Sequence, residues 1–155
     1  MKKTKVMQIL DKAKIAYEPK EYEYDENNFS GEYVANSVGL PLEMVFKTLV
    51  CEGEKNGFSV VLIPVNHEAD LKKIATAMGD KKVKMVAVKD LLKIAGYERG
   101  ACSPIGMKKL FKTFIDESCL LNEKTCISAG AKGFQVILNT KDLIDFIKAI
   151  PTDLV

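Results

Sequence analysis

Tryptophan is absent from the chain, histidine occurs once, at His67, and the four cysteines, Cys51, Cys102, Cys119 and Cys126, never form a C-x-x-C pair. Zinc sites draw ligands from closely spaced cysteines and histidines, so no metal centre of that kind is expected. His67 stands in "PVNHEADLKK", at a helix start, where a surface or capping role is the ordinary one. A serine or cysteine hydrolase therefore lacks its base, and Cys102 has no activating partner in view. Neither G-x-G-x-x-G nor G-x-x-x-x-G-K-[ST] occurs, which removes two common nucleotide cradles. No cofactor is expected. No apolar run approaches the ~18 residues that span a bilayer, so no membrane partner is expected either. The first residues, "MKKTKVMQILDKAKI", scatter charges through their apolar pattern, unlike a signal peptide. Reduced thiols and a cytoplasmic location follow as the expectation. Neither charge sign dominates: 23 basic and 21 acidic side chains leave +2, a balance that does not announce a DNA-binding protein.

What is present suits a packed core. Hydrophobic residues make up 47% of 155, which predicts one domain over 1–155. Val6, Ile9, Leu10 and Ala13 follow helical spacing. "IAYEPKEYEYD" reads as an extended edge segment interrupted by Pro19. "GEYVANSVGLP" is a short helix closed by Gly39; "ADLKKIATAMG" and "KDLLKIAGY" end at Gly79 and Gly96. Residues 45–51 form a strand that pairs through the "GEKNG" turn with "FSVVLIPV". "KVKMVAV", "KTFIDES", "TCISAG" and "FQVILNT" read as further strands, and "KDLIDFIKAI" as a closing helix with Leu143, Phe146 and Ile147 on one face. Short helices among many strands predict an α+β fold, with a mixed, largely antiparallel sheet or a partly closed barrel.

Three segments interrupt this apolar pattern. In "VFKTLVCEG", Val45, Lys47, Leu49 and Cys51 share one strand face and Phe46, Thr48 and Val50 the other. Both faces are mainly apolar, so a lysine there must reach water or face a cavity. "GACSPIG" brings Gly100, Ser103 and Gly106 into one loop, and "SAGAKG" holds Ser128 and Gly130. Glycine turns allow close backbone approach, and their N–H groups can cradle a phosphate or an oxyanion.

In combination these pieces resemble the YbaK family of aminoacyl-tRNA editing domains, relatives of the insertion domain of bacterial prolyl-tRNA synthetase. "ILDKAKIAYEPKEYEYD", "VFKTLV", "DLKKIATAMGDKKVKM", "AGYERGACSPIGMKK", "TFIDES" and "ISAGAKGFQVILNTKDL" match in order across nearly the whole chain. The resemblance implies a free-standing deacylase of mischarged aminoacyl-tRNA, foremost Cys-tRNA(Pro), with prolyl-tRNA synthetase as a candidate partner. It implies Lys47 as the catalytic residue. Tyr22, Thr48, Gly100, Ser103, Gly106, Ser128 and Gly130 become the substrate-binding set. Ala101 stands where the family's loop has a second glycine, and Gln135 where some members have aspartate. The implied chemistry is substrate-assisted: the cysteinyl thiol attacks its own ester carbonyl while the protein positions it. Two alternatives remain. One is a deacylase of Ala-tRNA(Pro) or another small residue that uses water. The other is a non-catalytic module that binds tRNA or a synthetase through lysine pairs such as Lys72–Lys73, Lys81–Lys82 and Lys108–Lys109.

Overall fold

A computed structural model describes residues 2–28 and 30–155. The chain runs through α1 (Lys5–Lys12), β1 (Tyr17–Glu21), α2 (Gly31–Val38), β2 (Phe46–Gly53) and β3 (Phe58–Pro64). It continues through α3 (Leu71–Met78), β4 (Val83–Met85), α4 (Val88–Ala95) and β5 (Lys112–Asp116). It closes with β6 (Lys124–Ser128), β7 (Phe134–Asn139), α5 (Thr140–Ile147) and β8 (Ile150–Thr152). Helix ends follow local chemistry. The Ser30 hydroxyl accepts from the Tyr33 amide at the start of α2, and the Asp70 carboxylate accepts from Lys72 and Lys73 at the start of α3. Gly39, Gly79 and Gly96 end their helices in the left-handed region, as the sequence predicts.

The strands form two sheets, ordered β1-β7-β6 and β4-β2-β3-β5-β8. The three-stranded sheet is antiparallel, and so are the β2–β3 and β2–β4 pairs; β3–β5 and β5–β8 are parallel. This is the expected mixed α+β architecture. Among the described residues the sheets do not close into a barrel: their side chains share a core, but the backbone pairing between them is one isolated parallel bridge, Val45 to Cys126.

Apolar side chains explain the layering. Val60 and Leu62 point from β3 into the main core, where they meet Leu10, Phe46, Ile115, Ile127, Leu138 and Leu143. Val61 and Ile63 point to the opposite face, where Ile74 and Met78 of α3 and Leu154 cover them. A strand buried on both faces reads as a continuous apolar run, as "SVVLI" does. A third cluster joins Ala35 of α2 to Val45, Cys126 and Ile137, beside the single bridge.

The structure departs from the sequence reading in three places. The predicted strand "KVKMVAV" survives only as Val83–Met85, because Val86 and Ala87 turn the chain into α4. The C-terminal Ile150–Thr152 adds an unanticipated edge strand parallel to β5. Phe146 is 37% exposed, since Leu143 is the side chain of α5 that is fully buried and Ile144 and Ile147 complete its packed face.

Candidate active site

The lysine of "VFKTLV" does face a cavity. Beyond the Val45–Cys126 bridge the two sheets do not pair, and a pocket of about 500 Å³ opens there, a size typical of small-ligand sites. β2 forms its floor. β3 covers one edge of β2 along Phe46–Glu52, whereas β4 covers the other edge only at Cys51–Gly53. The Val50 carbonyl accepts from the Val86 amide. By alternation, the Thr48 N–H and C=O face that same edge, one pair closer to the pocket and beyond the reach of β4. The Thr48 hydroxyl is buried with no hydrogen-bond partner among the described residues. Lys47 is half-buried and lines the pocket, and its ammonium makes no hydrogen bond or ion pair with the described residues.

Two lips flank this floor. Tyr22, Tyr24, Asn28, Ser30 and Gly31 form one; Met85, Val88, Leu91, Arg99 and Gly100 contribute to the other. Ser128 and Gln135 reach the pocket from the three-stranded sheet. Tyr22 is set by its place just after β1, where its amide donates to the Gly133 carbonyl at 2.9 Å, and by an edge-on contact with Tyr33, centroids 6.4 Å apart. Burial raises the Tyr22 phenol above its ordinary value, while the nearby Gly133 backbone and Gln135 amide pull the other way. Gln135 is 5% exposed, and its Oε1 accepts from the Cys126 thiol at 3.5 Å. The Ser128 hydroxyl accepts from the Gly130 amide at 3.2 Å, a tight local turn that holds the end of β6.

Gly100 has φ +88, and a Cβ there would lie 2.9 Å from the Tyr24 hydroxyl. The two lips therefore approach each other only because this residue is glycine. Gly31 lets the start of α2 close onto Val65, whose side chain a Cβ at that position would overlap.

The structure thus brings Lys47, Tyr22, Thr48, Gly100 and Ser128 to one cavity. Ser103, Gly106 and Gly130 are not among its lining residues. Ser103 is fully buried and its hydroxyl accepts from the Ile105 amide. Gly106 and Gly130 both pack against Tyr97, whose hydroxyl donates to the Ile105 carbonyl. In the sequence Gln135 stands out only as a departure from the family pattern, and no local signal marks Tyr24, Arg99 or Gly31. The pairing of Glu21 with Phe134 is the contact that brings Tyr22 and Gln135 together, and neither local segment announces it.

Cys102 is the one pocket-lining cysteine among the described residues, and burial pushes its thiol to about 12. Cys126 is likewise pushed to about 12, and Cys51 and Cys119 to about 11. All four are protonated at neutral pH and poor nucleophiles. His67 is exposed and outside the pocket lining. Among the described residues no group of three or more His, Cys, Asp or Glu side chains could hold a metal ion. What the pocket offers is a cation, hydroxyls, an amide and open backbone groups. That set can bind and polarise an ester and its neighbouring oxygens; it supplies no activated nucleophile.

Residues 26–146 match the aminoacyl-tRNA editing domain family. The chain belongs to that family. EbsC of Enterococcus faecalis, provisionally named a Cys-tRNA(Pro)/Cys-tRNA(Cys) deacylase, is 45% identical over 136 residues, covering 88% of this chain and 83% of EbsC. The proline–tRNA ligase of Thermosipho africanus is 29% identical over 87 residues, which span 56% of this chain but 15% of the ligase. Among solved structures, a provisionally assigned trans-editing enzyme for prolyl-tRNA synthetase superposes with a TM-score of 0.82 at 20% identity, covering 96% of this chain and 93% of that one. The hypothetical protein APE2540 superposes at 0.87 with 16% identity, covering 97% of this chain and 99% of that one. Both share the fold. Family membership makes this chain an editing enzyme, a hydrolase of the ester between amino acid and tRNA. No helix among the described residues is long and apolar enough to cross a membrane.

Proposed function

We propose that this chain acts as one free-standing editing domain on cysteine misattached to tRNA, Cys-tRNA(Pro) foremost, with the substrate's own thiol as nucleophile. The observation that carries the reading is a pocket with a half-buried cation but no activated protein nucleophile: Lys47 is present, and Cys102 is held as a neutral thiol. The likeness to EbsC supports the choice of amino acid.

The chemistry balances without a protein base. The cysteinyl Sγ attacks the ester carbonyl carbon; a C–S bond forms, the ester C–O bond breaks, and the ribose oxygen leaves with the proton the thiol gave up. The product is a four-membered thiolactone, which water opens to free cysteine. A thiol with a pKa near 8.5 is partly ionised at neutral pH, so the nucleophile needs positioning more than activation. In this scheme Lys47 places positive charge where the carbonyl oxygen gains negative charge. Thr48, Ser128 and the Gly100 loop orient the aminoacyl group, and Tyr22 with Gln135 walls the terminal nucleoside. Sequence likeness to part of proline–tRNA ligases makes prolyl-tRNA synthetase the fitting source of mischarged tRNA and a candidate partner.

The test is release of amino acid from Cys-, Ser- and Ala-charged tRNA(Pro) at equal concentration. Cysteine should leave fastest, serine and alanine far behind, because a hydroxyl is a weaker nucleophile and a methyl group is none. Faster release of alanine than of cysteine would overturn the substrate-assisted mechanism.

A further inference from the structure

The net charge of +2 conceals a sharp division. Residues 81–112 carry nine basic and two acidic side chains, a net of +7, so the remaining residues carry −5. All nine basic residues are exposed. The segment includes α4 and the "ERGACSPIG" loop, which supply Val88, Leu91, Arg99 and Gly100 to one lip of the pocket. The facing lip lies within residues 18–32, which hold six acidic side chains and one basic, a net of −5.

The basic lip is organised. Lys89 and Lys93 are one turn apart on α4 and so share a helix face, with Cβ atoms ~5–6 Å apart. The Lys108 ammonium donates to the Lys93 carbonyl at 3.4 Å, which extends the row toward Lys109. Lys89, Lys93, Lys108 and Lys109 form no ion pair among the described residues. By contrast Lys73 is engaged by Asp153 and the Val155 carbonyl. A row of unpaired ammonium groups beside a pocket, facing an acidic lip, fits a polyanion that enters from one side.

We infer that the Lys89–Lys93–Lys108–Lys109 row is the surface that holds the phosphodiester backbone of the tRNA acceptor arm, while the acidic 18–32 lip keeps that arm to the α4 side. The inference rests on the deacylase reading for the identity of the polyanion. It adds the docking face and the direction of entry. Phosphate contacts of this kind fix orientation without reading sequence. They make binding steeply salt-dependent: four such contacts would weaken it about 150-fold between about 50 and about 200 mM salt.

The experiment measures binding of labelled, uncharged tRNA by fluorescence anisotropy across that salt range. The paired changes Lys89→Gln with Lys93→Gln, and separately Lys108→Gln with Lys109→Gln, should each reduce the slope of log affinity against log salt by about 2, one for each phosphate no longer neutralised. Lys124→Gln with Lys141→Gln, at the start of β6 and in the first turn of α5, away from Ser128 and Gln135, should leave the slope unchanged. Glu23→Gln with Glu26→Gln should tighten binding. Hydrolysis of the cysteinyl ester of adenosine, which has no acceptor arm, should be unaffected by the row variants, while their KM for Cys-tRNA rises. Wild-type slopes in both row variants, equal losses in the Lys124/Lys141 control, or weaker binding in the acidic-lip variant would each overturn the inference. Row-dependent tRNA binding by a chain that hydrolyses neither substrate would refute the catalytic reading alone. Normal hydrolysis of Cys-tRNA with no row dependence would refute the docking surface alone.

Discussion

Replacing Lys47 with methionine removes one positive charge and little else. The side chain is half-buried, lines a cavity of about 500 Å³, and forms no ion pair among the described residues. No native partner is orphaned by Lys47→Met, so the stability change should stay within about 1 kcal/mol. The catalytic loss is larger. A unit charge ~4 Å from a developing oxyanion contributes about 4 kcal/mol at an effective dielectric of about 20. The pocket is open on one side, which screens part of that. Removal of one oxyanion-stabilising donor typically lowers kcat by about 10²–10³, and that range is expected here. The assay is single-turnover hydrolysis of Cys-tRNA(Pro), with thermal unfolding on the same preparations. The loss should fall on kcat rather than on KM, because the charge acts on the transition state. A Lys47→Met protein that turns over within about threefold of wild type, when the charge should contribute at least about a hundredfold, would refute the electrostatic role.

Gly100→Ala should reduce activity strongly and destabilise the chain by about 1–2 kcal/mol, since it forces a left-handed backbone on an L side chain and drives a Cβ to 2.9 Å from the Tyr24 hydroxyl; thermal unfolding and turnover together check it. Cys102→Ser should keep turnover within a few-fold, and complete loss would revive a protein nucleophile. In the native protein the four buried thiols should resist iodoacetamide at pH 8 and react fully once unfolded; rapid native labelling of any one would contradict its raised pKa. A pH profile gives a further check. The folded Cys102 thiol sits at about 12 against an ordinary 9.0, so the unfolded state ionises first. The stability that burial of the neutral thiol confers is complete below pH 9 and declines as pH rises toward 12. Cys102→Ala should flatten the alkaline fall in Tm relative to wild type, and identical slopes would remove this contribution.

Much of the fold is written locally. The β2–β3 hairpin and the helix stops at Gly39, Gly79 and Gly96 each depend on neighbours a few residues away. A short stretch of sequence captures them. What escaped depends on partners far along the chain. "KVKMVAV" has the composition of a strand, yet β4 pairs with β2 only at Cys51–Gly53, and nothing local marks where pairing stops. "IPT" carries a proline, a poor strand signal, and becomes β8 at the sheet edge beside β5. The site shows the same split. Lys47 stood out because a charge broke an apolar run. Gln135 looked like a simple loss of a carboxylate, and only the β1–β7 register places it beside Tyr22. The resemblance grouped Ser103 and Gly106 with the site through their loop, whereas the folded loop turns Ser103 into the core and sets Gly106 against Tyr97.

The single bridge between the sheets connects fold to chemistry. Had β2 and β6 continued in parallel past Val45 and Cys126, the next steps would place Lys47 alongside Ser128, and backbone pairing would fill the space the pocket occupies. The β6 strand ends at Ser128 instead, and Gly130, at φ +84, turns the chain away. The edge of β2 left open in this way would invite pairing with another chain. Here it lies in the pocket, with Tyr22, Ser30 and Val34 lining one side and Met85, Val88 and Cys102 the other. An incomplete barrel therefore supplies the cavity, the free strand edge and the stranded lysine at once. The proposed substrate-assisted route draws on all three, because a substrate that brings its own nucleophile asks the protein for position and charge rather than for a base.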